Sequence, residues 1–87
     1  MNAQMVSIII TNFNYSKYLA TCIRSCLDQK TTIPYEVLLV DDGSTDNSLD
    51  IAASFADDRL KIITRQNGGI EAASNEGIAK SQGEYIV

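Results

Sequence analysis

Apolar positions along this chain keep two alternating rhythms. Val6–Thr11 (VSIIIT), Tyr35–Val40 (YEVLLV), Leu60–Thr64 (LKIIT) and Glu84–Val87 (EYIV) are short runs rich in β-branched residues, the texture of strands buried in a sheet. Between the first two, Leu19, Cys22, Ile23, Cys26 and Leu27 recur at i, i+3, i+4, i+7 and i+8. That stripe predicts an amphipathic helix with Ser16 as its N-cap. Leu49, Ala52, Ala53 and Ala56 predict the inner face of a second helix, capped by Asp46 or Thr45. A third, weaker helix is predicted from Ile70 to about Ser81, entered through Gly68-Gly69 and stopped by Gly83.

Strand, helix, strand, helix, strand, helix, strand with short connections predicts an α/β domain: a parallel sheet in β-α-β-α-β-α-β order, Rossmann-like, with right-handed crossovers. In such sheets ligands bind beyond the carboxyl ends of the strands. Three segments are thereby expected together at one edge: Thr11–Asn14, Asp41–Ser44 and Asn67–Gly69.

Composition narrows the partners. At 87 residues the chain is expected to form a single domain with one modest core. A net charge of −4, no His and a pI near 4.5 argue against nucleic acid as a partner. A small anionic ligand would need a cation or backbone amides to hold it. No apolar run approaches the roughly 20 residues that span a bilayer, and the N-terminus lacks a secretory layout, so no membrane segment and a cytoplasmic location are expected. Cys22 and Cys26 without any His do not complete a zinc site and are read as buried structural thiols.

The rim carries the candidate chemistry. Asp41 and Asp42 are adjacent like charges at a strand tip, where they need donors, water or a cation. Ionised carboxylates accept hydrogen bonds from the N–H of a nucleobase or from ribose hydroxyls, and Phe13 or Tyr15 can stack on a base. Small residues at Asn67-Gly68-Gly69 let backbone amides approach an anion. The plainer alternatives are helix capping for the Asp pair, a tight turn for the glycines and core packing for Phe13. Two other enzyme classes fit poorly. A receiver-type phosphorylation domain carries its acid pair after the first strand and an Asp at the end of the third, where this chain has Thr64-Arg65. A dinucleotide-dependent oxidoreductase needs Gly-x-Gly-x-x-Gly after the first strand, where this chain has Asn12-Phe13-Asn14.

Taken together, the succession "VSIIITNFN", "VLLVDDGSTDNS", "RQNGGIEAASNEG" and "GEYIV" closely resembles the N-terminal half of family 2 glycosyltransferases with the A-type glycosyltransferase fold. The resemblance implies a nucleotide-sugar-binding half-domain over residues 1–87. Thr11 and Phe13 match positions that contact the base, Asp42 the carboxylate that hydrogen-bonds it, and Gly68 and Gly69 the loop that borders the nucleotide. The nucleotide-binding set expected on this basis is Thr11, Asn12, Phe13, Asn14, Asp41, Asp42, Ser44, Asn67, Gly68 and Gly69. The implied partner is a nucleoside diphosphate sugar, a UDP-sugar first among them, and the implied cofactor is Mg²⁺ or Mn²⁺.

Three departures shape these expectations. Thr11-Asn12 stands where the family often has Pro-Thr or Pro-Ser, a contact made partly through backbone. Ser74 stands where many members carry Arg, so a cationic contact near the diphosphate is missing there. The sequence given stops at Val87, where the family continues into its Asp-x-Asp metal motif. The chain alone is therefore expected to be a truncated half-domain holding no metal ligands and no catalytic residue, and so to be inactive by itself. The rival reading is a non-catalytic folded module or oligomerising fragment. Because Tyr85–Val87 would form an apolar edge strand without Lys or Pro, a homo-oligomer joined through that C-terminal strand is also expected.

Overall fold

A computed structural model of the chain describes residues 5–28, 33–81 and 85–86. The elements follow the expected alternation: β1 (Val6–Asn12), α1 (Ser16–Leu27), β2 (Tyr35–Asp41), α2 (Ser48–Ala53), β3 (Leu60–Thr64), α3 (Ile70–Lys80) and β4 (Tyr85–Ile86). All strand pairs are parallel, in the order β3-β2-β1-β4. Register decides what meets at the sheet's carboxyl edge. Asn12 of β1 lies opposite Asp41 of β2, and Asp41 lies opposite Thr64 of β3.

The central strand β2 is buried along Glu36–Asp41 because helices cover both faces. On one face Leu39 packs with Leu19 and Ile23 of α1 and Ala52 of α2, ringed by Ile10, Leu27, Ile51, Phe55 and Leu60. On the other face α3 rides close, and Gly77 makes that possible. A Cβ there would stand 2.7 Å from Ile9 Cγ2 and 3.2 Å from Val40 Cγ2. Val37, Leu38, Leu39 and Val40 are each at most 1% exposed, and burying such a side chain contributes about 1.5–3 kcal/mol. The charge inside "YEVLLV" is matched locally: Glu36 accepts from Ser7 Oγ at 2.6 Å and from Lys61 Nζ at 2.9 Å. Among the described residues no buried side-chain nitrogen or oxygen lacks a partner, and no helix is long and apolar enough to cross a membrane.

Several expectations need correction. Ser16 is the first residue of α1 rather than its cap; Tyr15 precedes the helix, and the Ser16 N–H donates to Asp46 Oδ2 at 3.1 Å across the loop. The inner face of α2 is Ser48 and Ala52, while Leu49 and Ala53 are exposed and Ala56 lies past its end. A serine can be buried there because Asp46 Oδ1 accepts both its hydroxyl at 2.5 Å and its N–H at 2.9 Å, which makes Asp46 the helix's capping acceptor. Cys22 is exposed and Cys26 only half-buried, since Leu19 and Ile23 take the core side of α1. Burial, and then the neighbouring Cys22, push the Cys26 thiol above its usual range. In β1, Ile8, Ile9 and Ile10 are half-buried rather than covered on both faces. The expectations for Gly83, Glu84 and Val87 lie outside the described residues.

At the sheet end away from the rim, Arg59 joins three elements. It donates to Asp57 Oδ1 and Oδ2 at 3.0 and 2.7 Å, to the Leu27 carbonyl at 3.0 Å and to the Tyr35 hydroxyl at 2.5 Å. The Arg59 hydrogen bonds hold the Asp57 carboxyl at about 2, and those from Ser48 first and Ser16 after it hold Asp46 at about 2, both below the ordinary 3.8. A carboxyl depressed in the folded state stabilises it fully above the ordinary value, and that stability is lost as pH falls toward 2. The melting temperature is therefore expected to be flat above about pH 5 and to fall steadily between pH 4 and pH 2. Asp46→Asn and Asp57→Asn should each melt lower than wild type at pH 6 and lose less on acidification, as read by circular dichroism. A wild-type melting temperature unchanged from pH 5 to pH 2 would contradict the assignment.

Candidate functional site

The two adjacent carboxylates at the tip of β2 turn to opposite faces of the sheet, as successive strand residues do. Their roles divide accordingly.

Asp41, 1% exposed, joins a seam between two loops. Its Oδ1 accepts from Asn12 Nδ2 at 2.9 Å and from Ser44 Oγ at 2.7 Å, and its Oδ2 accepts from the Ser44 N–H at 3.0 Å. Ser44 Oγ in turn accepts from Asn12 Nδ2 at 3.1 Å and from the Asn14 N–H at 2.9 Å, so the hydroxyl is fully used. Asn14 adopts φ 55, a left-handed conformation that Asn tolerates, and its Oδ1 accepts from the N–H groups of Thr45 at 2.8 Å and Asp46 at 3.3 Å. The loop after β1 is thereby sewn to the loop after β2.

Asp42, 3% exposed, holds the third loop. Its own N–H continues the sheet by donating to the Asn12 carbonyl at 2.8 Å, which fixes the backbone one step beyond β2. Oδ1 accepts from the Gly68 N–H at 3.0 Å and lies 3.0 Å from Arg65 Nε. Oδ2 accepts from the Gly69 N–H at 2.8 Å and from Asn67 Nδ2 at 3.3 Å. Arg65 is held from behind, donating through Nη1 to Glu76 Oε1 at 2.8 Å and to the Ala72 carbonyl at 3.1 Å. Gly43 lets the loops meet: at φ +79, a Cβ on it would stand 2.8 Å from the Asn67 backbone nitrogen.

Between the β1 loop and the first turn of α3 lies a cleft of about 250 Å³, lined by Thr11, Asn12, Phe13, Tyr15, Asp42, Asn67, Gly69, Ile70 and Ala73. Of the residues expected from the sequence, Thr11, Asn12, Phe13, Asp42, Asn67 and Gly69 line it. Asn14, Asp41 and Ser44 instead form the seam behind it, and Gly68 acts through its N–H on Asp42. Ile70 and Ala73 were missed. Their signal was present in the sequence, because positions i and i+3 of a helix starting at the rim share the face toward the crevice. Ile70 is 73% exposed, an apolar side chain left beside the opening. Arg65 was also missed as a site residue, although it brings a guanidinium to the rim where Ser74 brings none.

Apolar walls from Phe13, Tyr15, Ile70 and Ala73 around one buried carboxylate suit a flat, N–H-bearing heterocycle. They do not suit a divalent cation. Both rim carboxylates are occupied by N–H and O–H donors, and no group of three or more His, Cys, Asp or Glu able to hold a metal occurs among the described residues. The residues described here therefore do not fit Mg²⁺ or Mn²⁺, which the resemblance implied for the full-length enzyme with ligands outside this chain.

Comparison with known proteins places this arrangement. The sequence pattern of glycosyl transferase family 2 matches residues 7–87. Glycosyltransferase GlyG of Streptococcus pneumoniae is 40% identical over 97% of this chain, which spans 29% of that protein. The putative glycosyltransferase EpsH of Bacillus subtilis is 39% identical over 99% of the chain, which spans 25% of it. Among solved structures, TarS from S. aureus superposes over 97% of this chain with a TM-score of 0.88 at 28% identity, the chain covering 26% of it. A mannosyltransferase from Pyrobaculum calidifontis, solved with GDP-Man and Mn²⁺, shares the fold over 93% of the chain and 25% of its own, at a TM-score of 0.80 and 22% identity. These structures show the A-type glycosyltransferase fold. With a family match running from the second residue of β1 to the last residue of the sequence, the chain belongs to glycosyl transferase family 2.

Proposed function

We propose that the cleft binds the nucleotide of a nucleoside diphosphate sugar in the cytoplasm, a UDP-sugar first among the candidates. The observation that carries this reading is the Asp42 carboxylate, buried at the cleft floor and fixed by the Gly68 and Gly69 amides and Arg65. A carboxylate lining an apolar cleft favours a ligand that brings a donor to that point over one that brings an acceptor, which the negative charge repels. The base lies against Phe13 with its N–H toward Asp42, and Thr11 borders it from β1. The chain spans about a quarter of the length of GlyG and EpsH, so sugar transfer to an acceptor is a proposal about the whole protein. The divalent cation beside the diphosphate belongs to that wider proposal, and the 87 residues alone are proposed to bind without turnover. Pairing of two copies along β4 is proposed for these 87 residues alone; among the described residues β4 has a strand neighbour on one side only, β1.

Calorimetric titration with UDP and GDP tests the reading. Binding is expected in the range of about 0.1–1 mM, corresponding to roughly 4–5.5 kcal/mol. Stacking of one base on an aromatic contributes about 1–3 kcal/mol, so Phe13→Ala should weaken binding by about tenfold or more. Phe13 is 41% exposed and outside the core cluster, so the variant should fold normally. Equal affinity of wild type and Phe13→Ala would remove Phe13 from the site.

A further inference from the structure

The four nitrogens around the Asp42 carboxylate are not equally committed to it. Two are backbone N–H groups of Gly68 and Gly69, at 3.0 and 2.8 Å. The third, Arg65 Nε, makes an ion pair with Oδ1 while its N–H donates to the Gln66 carbonyl at 3.1 Å, on a guanidinium that Glu76 and the Ala72 carbonyl anchor from the other side. The fourth is the Asn67 side-chain amide, the longest contact at 3.3 Å, from an exposed residue on the cleft wall. The same Nδ2 has a second acceptor close by, the Asp42 carbonyl at 3.1 Å.

Oδ2 already receives two donors, the Gly69 N–H and the Asn67 amide, while Oδ1 receives the Gly68 N–H and lies against the Arg65 guanidinium. A base N–H arriving from the cleft meets Oδ2, whose two donor residues Asn67 and Gly69 line that cleft, and must displace one of them. Removing the Gly69 amide would unmake the loop, and Arg65 is held on the Oδ1 side by Glu76 and by the Ala72 and Gln66 carbonyls. Only the Asn67 amide can leave while keeping a partner.

We propose that the Asn67 side-chain amide is a stand-in for the ligand: it occupies Asp42 Oδ2 while the cleft is empty and gives way to a ring N–H of the base, which makes Asn67 a specificity-determining residue. The proposal rests on the reading that Asp42 accepts from the base. It adds a consequence that reading lacks. Every nucleotide competes with an internal donor, so a base presenting no N–H at that edge gains nothing to offset the amide it displaces.

The test uses whichever of UDP and GDP binds wild type more tightly, together with its analogue methylated at the ring N–H. Wild type should favour the unmethylated nucleotide by tenfold or more, on the order of one lost hydrogen bond to a charged group. Asn67→Ala removes the internal competitor and should bind the unmethylated nucleotide about three- to tenfold more tightly, with no such gain for the methylated one. In the wild-type chain, the Asn67 side-chain NH₂ signals in ¹⁵N spectra should shift on saturation and exchange faster with water. This second readout needs no variant. If neither nucleotide binds, or wild type binds both forms equally, the base-acceptor role of Asp42 fails and the stand-in falls with it. If wild type discriminates but the Asn67 signals keep their shift and protection through saturation, or a folded Asn67→Ala chain binds no tighter, the stand-in is overturned while the role of Asp42 stands.

Discussion

Asp42→Ala is expected to remove nucleotide binding and to lower stability by about 3–5 kcal/mol, the scale measured when one partner of a buried charged network is deleted. The carboxylate holds Gly68, Gly69, Asn67 and Arg65 at once. Its loss strands two backbone N–H groups and leaves Arg65 with Glu76 as its one carboxylate partner. A domain of this size commonly has only about 5–15 kcal/mol in total, so the variant should melt roughly 15–30 °C lower. Part of the lost affinity will reflect the released Asn67–Gly69 loop rather than the missing contact to the base. Asp42→Asn, which keeps the shape but turns one oxygen into a donor facing donors, should be nearly as damaging. Chemical denaturation read by circular dichroism measures the stability change. A loss below about 1 kcal/mol would mean that the three loops hold together without the carboxylate.

The second large effect is expected at a glycine. Gly43 and Gly69 both have positive φ, at +79 and +96, so a side chain at either is strained by about 1–2 kcal/mol. Their surroundings differ. A Cβ on Gly69 meets nothing within 4 Å, whereas one on Gly43 meets the Asn67 backbone nitrogen at 2.8 Å. Backbone cannot rotate aside as a flexible side chain can, so the Asn67–Gly69 loop must shift off Asp42. Gly69→Ala should therefore cost only the strain, and Gly43→Ala about 2–4 kcal/mol together with a tenfold or greater loss of nucleotide affinity. Melting curves and titrations of the two variants side by side isolate the contact. Equal behaviour would show that the loops do not touch as described.

The strands were the most legible part of the fold. Parallel strands leave near-continuous apolar runs, as β2 does between its covered faces, and even the more exposed β3 was bounded correctly at Leu60 and Thr64. Helix faces were less legible wherever a polar residue could be buried with its own partner. Ser48 looks like a surface residue until Asp46 accepts both its hydroxyl and its N–H, and the predicted face of α2 was misplaced for that reason. At the rim, the gathering of three loops followed from topology alone. The division of labour between Asp41 and Asp42 did not, although strand alternation already places neighbours on opposite faces. The engagement of both carboxylates depends on loop backbone conformation at Asn14, Gly43 and Gly69, which no spacing of residue types reveals.

Nucleotide is proposed to enter the cleft between Phe13 and the first turn of α3, floored by Asp42. The most direct test is a titration of the ¹⁵N-labelled chain with UDP and GDP, followed amide by amide. The largest shifts are expected on Phe13, Gly68, Gly69 and Ile70, with Arg24, Asp57 and Arg59 at the opposite end of the sheet unmoved. Amides of the cleft unchanged at millimolar nucleotide, or shifts centred on Arg24 and Arg59 instead, would contradict that placement.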